Sequence, residues 1–447
     1  MSLTPRSLAA LALVSALAAC EWKVVDPRSD DARLPAAGGA TAPACGRAGE
    51  TCEAGGAGAD SCAAVVDRWK ELLVIHRSVL MDRRARNDVD DAPWSFRARL
   101  EDLAGDRDGA RAFAHAWLDQ WRTVTSVGPD RAPVTPRPGV GPVLVEPWLA
   151  SSGGELAGAP FRLIAVVNRP DLRQRADACG GSAGELRFVY SATDPITDQA
   201  IPMTIIVEIP YPATRTAREW IDAWHALASK PFGPEYNDAL AALTEEVTKG
   251  SPAGSWLVRT NEIALGEPDA LPWEMREFAL QTDAHGGRRL AQIPMATTPR
   301  IELDRSASLD SWAQENEARI LDGSYVLPGG FQAGAAPIAS SSFRWSSRSL
   351  DPRLRAALGM ATCNGCHGGE RVAETSLPFQ HIAAADQPTA YYGSPRDGET
   401  RLSRWLHDPS GNDDELARRE RSMARALCST CAPEAPGGYS VPTTGAR

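Results

Sequence analysis

The chain has 447 residues, 47 Lys and Arg against 57 Asp and Glu, a formal charge of −10, and 43 % hydrophobic residues, with 9 Cys and 7 His. That length allows two or three domains with a sizeable core. The basic residues are almost all Arg, interleaved with acids as in Asp82-Arg83-Arg84-Ala85-Arg86, so the charged runs read as solvated helix faces and argue against nucleic-acid binding.

Met1–Ala19 carries one early charge, Arg6, then an apolar run from Leu8 to Leu17 and small residues before Cys20. This reads as a secretory signal peptide whose apolar core is too short to span a membrane. The tetrapeptide Leu17-Ala18-Ala19-Cys20 resembles the lipobox of bacterial lipoproteins. That resemblance implies cleavage before Cys20 and acylation of its sulfur and new amino terminus, with palmitate-type chains anchoring the protein to a membrane of the cell envelope. Glu21 stands where lipoproteins kept at the inner membrane often carry Asp, which points to the outer membrane. No second apolar stretch reaches spanning length, so the lipid is the only expected membrane attachment.

Residues 20–62 are Gly/Ala/Pro-rich and are expected to form a flexible tether, with Cys45, Cys52 and Cys62 in or beside it. A helical region over 63–127 follows. Ala64–Leu80 has mostly helical spacing, with Leu72–Ile75 equally readable as a strand. Pro93 opens a second helix to Leu103. Ala110–Val124 gives a third with Phe113, Trp117 and Trp121 on one side. His76 and His115 read as packing or surface residues. Residues 128–150 are dense in proline and predict an extended connection. Over 151–350 the pattern turns to strands: Phe161–Val167, Leu186–Tyr190 and Met203–Ile209, the last two forming an antiparallel hairpin. Helices at Ala217–Leu227 and Glu235–Thr248 interrupt them. Further strands are expected at Trp256–Leu265, Trp273–Leu280 and Leu290–Met295, then a helix from Ser308 to Leu321. Strand runs broken by a helix pair, without regular βαβ alternation, predict an α+β fold with a mainly antiparallel sheet.

The last segment, 351–447, holds the chemistry. A helix over Asp351–Met360 runs into Cys363-Asn364-Gly365-Cys366-His367. Two thiols at this spacing match the two vinyl groups on one edge of haem, and the following histidine suits the proximal side of the iron. The helix followed by this pentapeptide resembles the haem-attachment region of c-type cytochromes. The resemblance implies covalent haem c with thioethers to Cys363 and Cys366 and His367 as the iron ligand. For the sixth position His381 is the first choice, with an open site, Met423 and His407 as alternatives. A second CxxC, Cys428-Ser429-Thr430-Cys431, allows a rival zinc site with Cys363 and Cys366, or a disulfide. Beyond Cys20 there are eight cysteines, so three disulfides with haem or four without are both consistent.

Other motifs carry less. Gly180-Gly181-Ser182-Ala183-Gly184 fits G-x-S-x-G but leads into a strand, so it reads as a turn and not a nucleophile elbow. Asn168-Arg169-Pro170-Asp171 reads as a charged turn. Arg259-Thr260-Asn261-Glu262 places polar groups on a strand, as hydrogen-bonded structure more readily than as a ligand groove. Segments Ala165–Leu172, Gly184–Tyr190, Arg259–Ile263 and Thr362–Gly368 resemble secreted bacterial proteins with a C-terminal CxxCH, a resemblance that brings no activity with it. The reading is an envelope lipoprotein with c-type haem, acting in electron transfer with an unidentified redox partner or, less favoured, in peroxide chemistry. The alternative is a non-enzymatic surface lipoprotein, a binding or structural module stapled by disulfides.

Overall fold

Alternating side chains in five successive strands divide the protein into a dry layer and a cavity layer. The computed structural model describes residues 64–173, 181–267, 271–283, 285–338, 342–370, 380–387, 395–396, 400–411 and 413–429. Cys20, Cys45, Cys52, Cys62, Cys179 and Cys431, and with them the signal, lipidation site and tether, lie outside the described residues. The described residues belong to one compact unit, and no helix among them is long and apolar enough to cross a membrane.

The fold is α+β. Its centre is an antiparallel sheet of β1 (Leu73–Val74), β2 (Phe161–Arg169), β3 (Glu185–Thr193), β4 (Ala200–Pro210), β5 (Leu257–Ile263), β6 (Trp273–Thr282), β7 (Arg288–Ile293) and β8 (Ala336–Ile338). They pair in the order β1-β2-β3-β4-β5-β6-β8, and β7 pairs with the other half of β6. The hairpin expected from Leu186 to Ile209 is present, in the register Phe188↔Val207 and Tyr190↔Ile205. Leu72–Ile75 resolves to the short edge strand β1 between two helical turns, Arg68–Glu71 and Arg77–Leu80. Four consecutive buried apolar residues there are held between the sheet edge and the core, which outweighs the helical spacing around them.

One face of the sheet packs on helices α1 (Phe96–Ala104) and α2 (Ala110–Leu118). Ser95 caps α1 by accepting from the Ala98 amide, and Gly105 ends it in the left-handed region. Phe113, Trp117 and Trp121 are all buried, as their spacing predicts. Trp121 stacks on Phe278 of β6 with ring centroids 5.0 Å apart, and Phe96 lies 4.3 Å from Phe161 of β2. Helices α3 (Ala217–His225) and α4 (Pro234–Gly250) follow β4. The Thr216 and Glu219 capping box starts α3, and Trp94 of the first layer donates its indole N–H to Thr244 of α4 at 2.9 Å. The proline-rich connection differs from expectation. Gly141–Val145 forms a π-helical turn that runs into a helix over Glu146–Ser152. Pro142 and Pro147 occupy the opening positions of these turns, where a missing N–H costs nothing.

The C-terminal segment joins the same core. Leu402, Leu406, Leu416, Met423 and Ala426 pack with the sheet residues and with Val66–Leu80. Helix α7 (Glu415–Cys428) starts at Asp414, whose carboxylate accepts from the Ala417 amide. Capping is therefore the role of this acidic residue.

Two tests follow from the dry layer. Trp121→Ala removes a fully buried ring and is expected to cost about 3–5 kcal/mol in urea unfolding. Arg137, Glu262, Glu274 and Arg276 form a buried quartet in the same layer, with Arg137 paired to Glu262 and Arg276 donating to Glu274 at 2.6 Å. Burial pushes the Glu262 carboxyl up to about 7, against the pull of Arg137. Between its ordinary value of 4.5 and about 7, the folded chain keeps a proton that the unfolded chain has lost. Stability is therefore expected to fall as pH rises through that window, and Glu262→Gln should flatten the slope in denaturation curves taken from pH 4.5 to 8.

Candidate cofactor site

Helix α5 (Pro352–Ala361) delivers the CxxCH motif to the second face of the sheet. Asp351 caps it through the Arg353 and Leu354 amides. Thr362 breaks it and caps a single new turn, α6 (Cys363–Cys366), by accepting from the Gly365 amide at 3.0 Å. Trp345 clamps this corner: its indole N–H lies 2.9 Å from Thr362 Oγ1 and 3.0 Å from Asn364 Oδ1. A Cβ on Gly365 would sit 2.1 Å from the Gly359 carbonyl oxygen, so only glycine allows the two turns this close. One helical turn places Cys363 and Cys366 on one side, with His367 next in line.

Both thiols and His367 open onto one cavity of about 560 Å³. That is within the ordinary size of small-molecule and cofactor sites, roughly 300–1,000 Å³. The sheet supplies its opposite wall through every second residue: Val167 and Arg169 from β2, Arg187 and Val189 from β3, Ile206 and Glu208 from β4, Arg259 and Asn261 from β5, Met275 and Glu277 from β6. Ile382, Trp405 and α7 close it from the C-terminal segment. Of the tetrapeptide Arg259-Thr260-Asn261-Glu262, Arg259 and Asn261 therefore face the cavity, while Glu262 belongs to the buried quartet of the dry layer. Arg259 and Asn261 are both hydrogen-bonded, as expected, and both also line the cavity, the less favoured of the two expectations.

Four rings run in a row across the site, the first pair stacked and the next two tilted. Trp273 lies 5.1 Å from His367, His367 lies 4.3 Å from His381, and His381 lies 4.4 Å from Trp405, centroid to centroid. The Trp273 indole N–H donates to Asn261 Oδ1, and Gln380 Nε2 donates to the Asn261 carbonyl at 2.9 Å. His381 Nδ1 is 3.0 Å from Ser403 Oγ, which leaves Nε2 directed to Cys366 Sγ, 3.9 Å away. Cys366, His367 and His381 each offer a donor atom within 4.8 Å of the others. This is the only such donor group of three among the described residues.

Charge runs across the wall in alternating sign. Arg187 pairs with Glu208 at 3.1 Å, Glu208 with Arg259, and Arg259 with Glu277 at 2.8 Å. Burial works against the charge on Arg259, but Glu208 and Glu277 more than offset it and hold the guanidinium protonated. Burial also pushes the Cys363 thiol up to about 12, with Glu277 adding to it and Arg259 opposing. Asp171 is held low by Arg169 despite its burial.

Of the residues singled out from sequence, Cys363, Cys366, His367 and His381 come together. Cys363 and Cys366 are not in disulfides, whereas Cys428 is engaged in one, which removes its sulfur from a four-thiolate zinc site. Cys431 lies outside the described residues. Met423 is fully buried in the main core and does not line the cavity. His407 is turned to Asp414 at 3.1 Å and to the Trp69 ring. Neither reaches the site. His76 and His115 stack on Phe232 and Trp148, as packing residues do. Sequence reasoning offered Arg259 as a possible groove residue but missed Arg187 and Arg419, although charged residues at alternate positions in otherwise apolar strands were a readable signal.

Comparison of the chain with family models, curated proteins and solved structures finds no match.

Thiol chemistry offers a direct check of this geometry. In protein produced without haem maturation, iodoacetamide at pH 8 is expected to modify Cys366 well before Cys363. A thiol titrating near 12 is ionised to about one part in ten thousand at that pH. Peptide mass mapping of native and unfolded samples reads the order, and equal rates in the native sample would contradict the upward shift of the Cys363 thiol.

Proposed function

We propose that the chain is an envelope lipoprotein carrying one covalent c-type haem and acting in electron transfer. The observation that carries this reading is the sharing of one cavity by two cysteines outside any disulfide and a buried histidine, with apolar and arginine-bearing walls. The donor set suits the group: Cys363 and Cys366 would hold it by thioethers and His367 would bind its iron. Bound there, haem supplies one-electron redox chemistry.

The chain's own contribution is orientation and exclusion of water. Trp273 fixes the plane of the His367 ring, and Asn261 holds Trp273 in turn. Val167, Val189, Ile206 and Met275 give the apolar lining that raises the cost of a change in net charge at the centre. His381 stands beside His367 and not across from it. His381, its ring 4.3 Å from that of His367, is the side chain nearest to hand that would complete the metal's ligand set.

The same spacing favours a second reading, a single transition-metal ion held by Cys366, His367 and His381. Tetrahedral zinc brings sulfur and nitrogen ligands to about 3.5 Å from each other, close to the 3.9 Å between Cys366 Sγ and His381 Nε2. Three protein ligands with a fourth position open is the pattern of a catalytic zinc site.

One preparation separates the two. Mature protein from a host with c-type haem maturation is expected to show a Soret band and to keep one haem mass after denaturation. The Cys363→Ala/Cys366→Ala double variant should lose the covalent mass. Colourless protein containing one equivalent of zinc, lost on His381→Ala, would replace the haem reading with the second one.

A further inference from the structure

The cavity has a cationic end that the thiols and histidines do not use. Cys363 lies beside Arg259 and Glu277, on β5 and β6. Arg169 ends β2, three strands from β5, about 14 Å away at the spacing of paired strands. There α7 contributes Arg418 and Arg419 to the lining. Arg169 forms a two-pronged pair with Asp171, and Arg418 pairs with Glu415 at 2.6 Å. Arg419 is different. It is 6 % exposed, and only its Nε is engaged, with Glu415 at 3.2 Å and Asp171 at 4.0 Å. Its two terminal nitrogens have no partner among the described residues, although the side chain lines the cavity.

A guanidinium in this position is costly to leave without an anion. It carries five donors in a planar fork suited to an oxyanion. Burial, and after it the neighbouring Arg169, lower its basicity to about 10, which is the electrostatic mark of a cation short of counter-charge. Glu415 is shared with Arg418, and Asp171 is already committed to Arg169. A carboxylate entering the cavity would meet both free nitrogens of Arg419 at once.

We propose that Arg419, with Arg169 beside it, anchors a carboxylate of the ligand that fills this cavity. Two sources share that chemistry: a propionate of bound haem, which rests on the reading above, and a free carboxylic acid, which does not. The placement fits the first, because Cys363, beside β5 and β6, and Arg419, by the end of β2, bound the cavity at different ends, as the vinyl and propionate edges of one macrocycle require.

The test uses the full mature chain carrying Cys363→Ala/Cys366→Ala, so that ligands bind reversibly, with and without Arg419→Gln. Haem and haem dimethyl ester are titrated by Soret absorbance, and succinate is scored by its effect on the thermal midpoint. If a propionate is held, the Arg419 chain prefers haem to its ester by about tenfold to a hundredfold, the worth of a charge-assisted pair, and R419Q abolishes the preference. If a free acid is held, succinate raises the midpoint only when Arg419 is present. This outcome, with no binding of either haem form, leaves the carboxylate anchor standing while the haem reading falls. Arg419→Lys keeps the charge and guards against misfolding of R419Q. It is expected to bind haem severalfold more weakly and the ester unchanged. A folded R419Q or R419K chain with the parent's haem preference and the parent's succinate response overturns the proposal.

Discussion

The arrangement depends on the pleat of the antiparallel sheet. Because successive side chains leave a strand on opposite sides, a single register across β2 to β6 sorts every residue into one of two environments. Val166, Phe188, Ile205, Val258 and Phe278 fall in the dry layer with the tryptophans of the N-terminal helices, and all five are almost fully buried. Their neighbours along the same strands line the cavity instead. A one-residue slip of β3, β4 or β5 would turn Arg187, Glu208 or Arg259, respectively, into the dry layer. The hydrophobic layer therefore fixes the site.

The charged wall is tolerable only because it is a ladder. Arg187, Glu208, Arg259 and Glu277 alternate in sign on adjacent strands, so each buried charge has opposite charges beside it. Such pairs add little to net stability, since desolvation consumes much of the Coulomb gain. Their effect is to keep one face of the sheet polar, rigid and open to a ligand. Against that wall the C-terminal segment lays a short, over-determined corner. Thr362, Trp345 and Gly365 leave α6 one conformation, and the row of rings from Trp273 to Trp405 holds the two histidines within it.

How much of this was legible varies with the range of the interactions. Local signals read well: the hairpin from Leu186 to Ile209 and the helix leading into CxxCH both rest on residues close in sequence. His381, the first choice for the sixth position, does reach the site, 4.3 Å from His367. Its position beside that ring depends on Ser403 and Trp405, which no local pattern connects to it. The prolines at 138, 142 and 147 misled because proline breaks a helix in its interior but suits its first turn. The cavity wall was the least visible feature, because its residues are scattered from Val167 to Glu277 and converge only through strand register. Arg419 looked like one more charge on an amphipathic helix; only tertiary packing shows that its face is turned inward.

We propose that the cavity between the sheet and CxxCH seats a covalently attached haem, and a crystal structure of the matured chain with anomalous data at the iron edge would decide it. One anomalous peak is expected within bonding distance of His367, with continuous density from the macrocycle to the Sγ atoms of Cys363 and Cys366. A cavity filled only by water, with those two sulfur atoms bonded to each other, would contradict it.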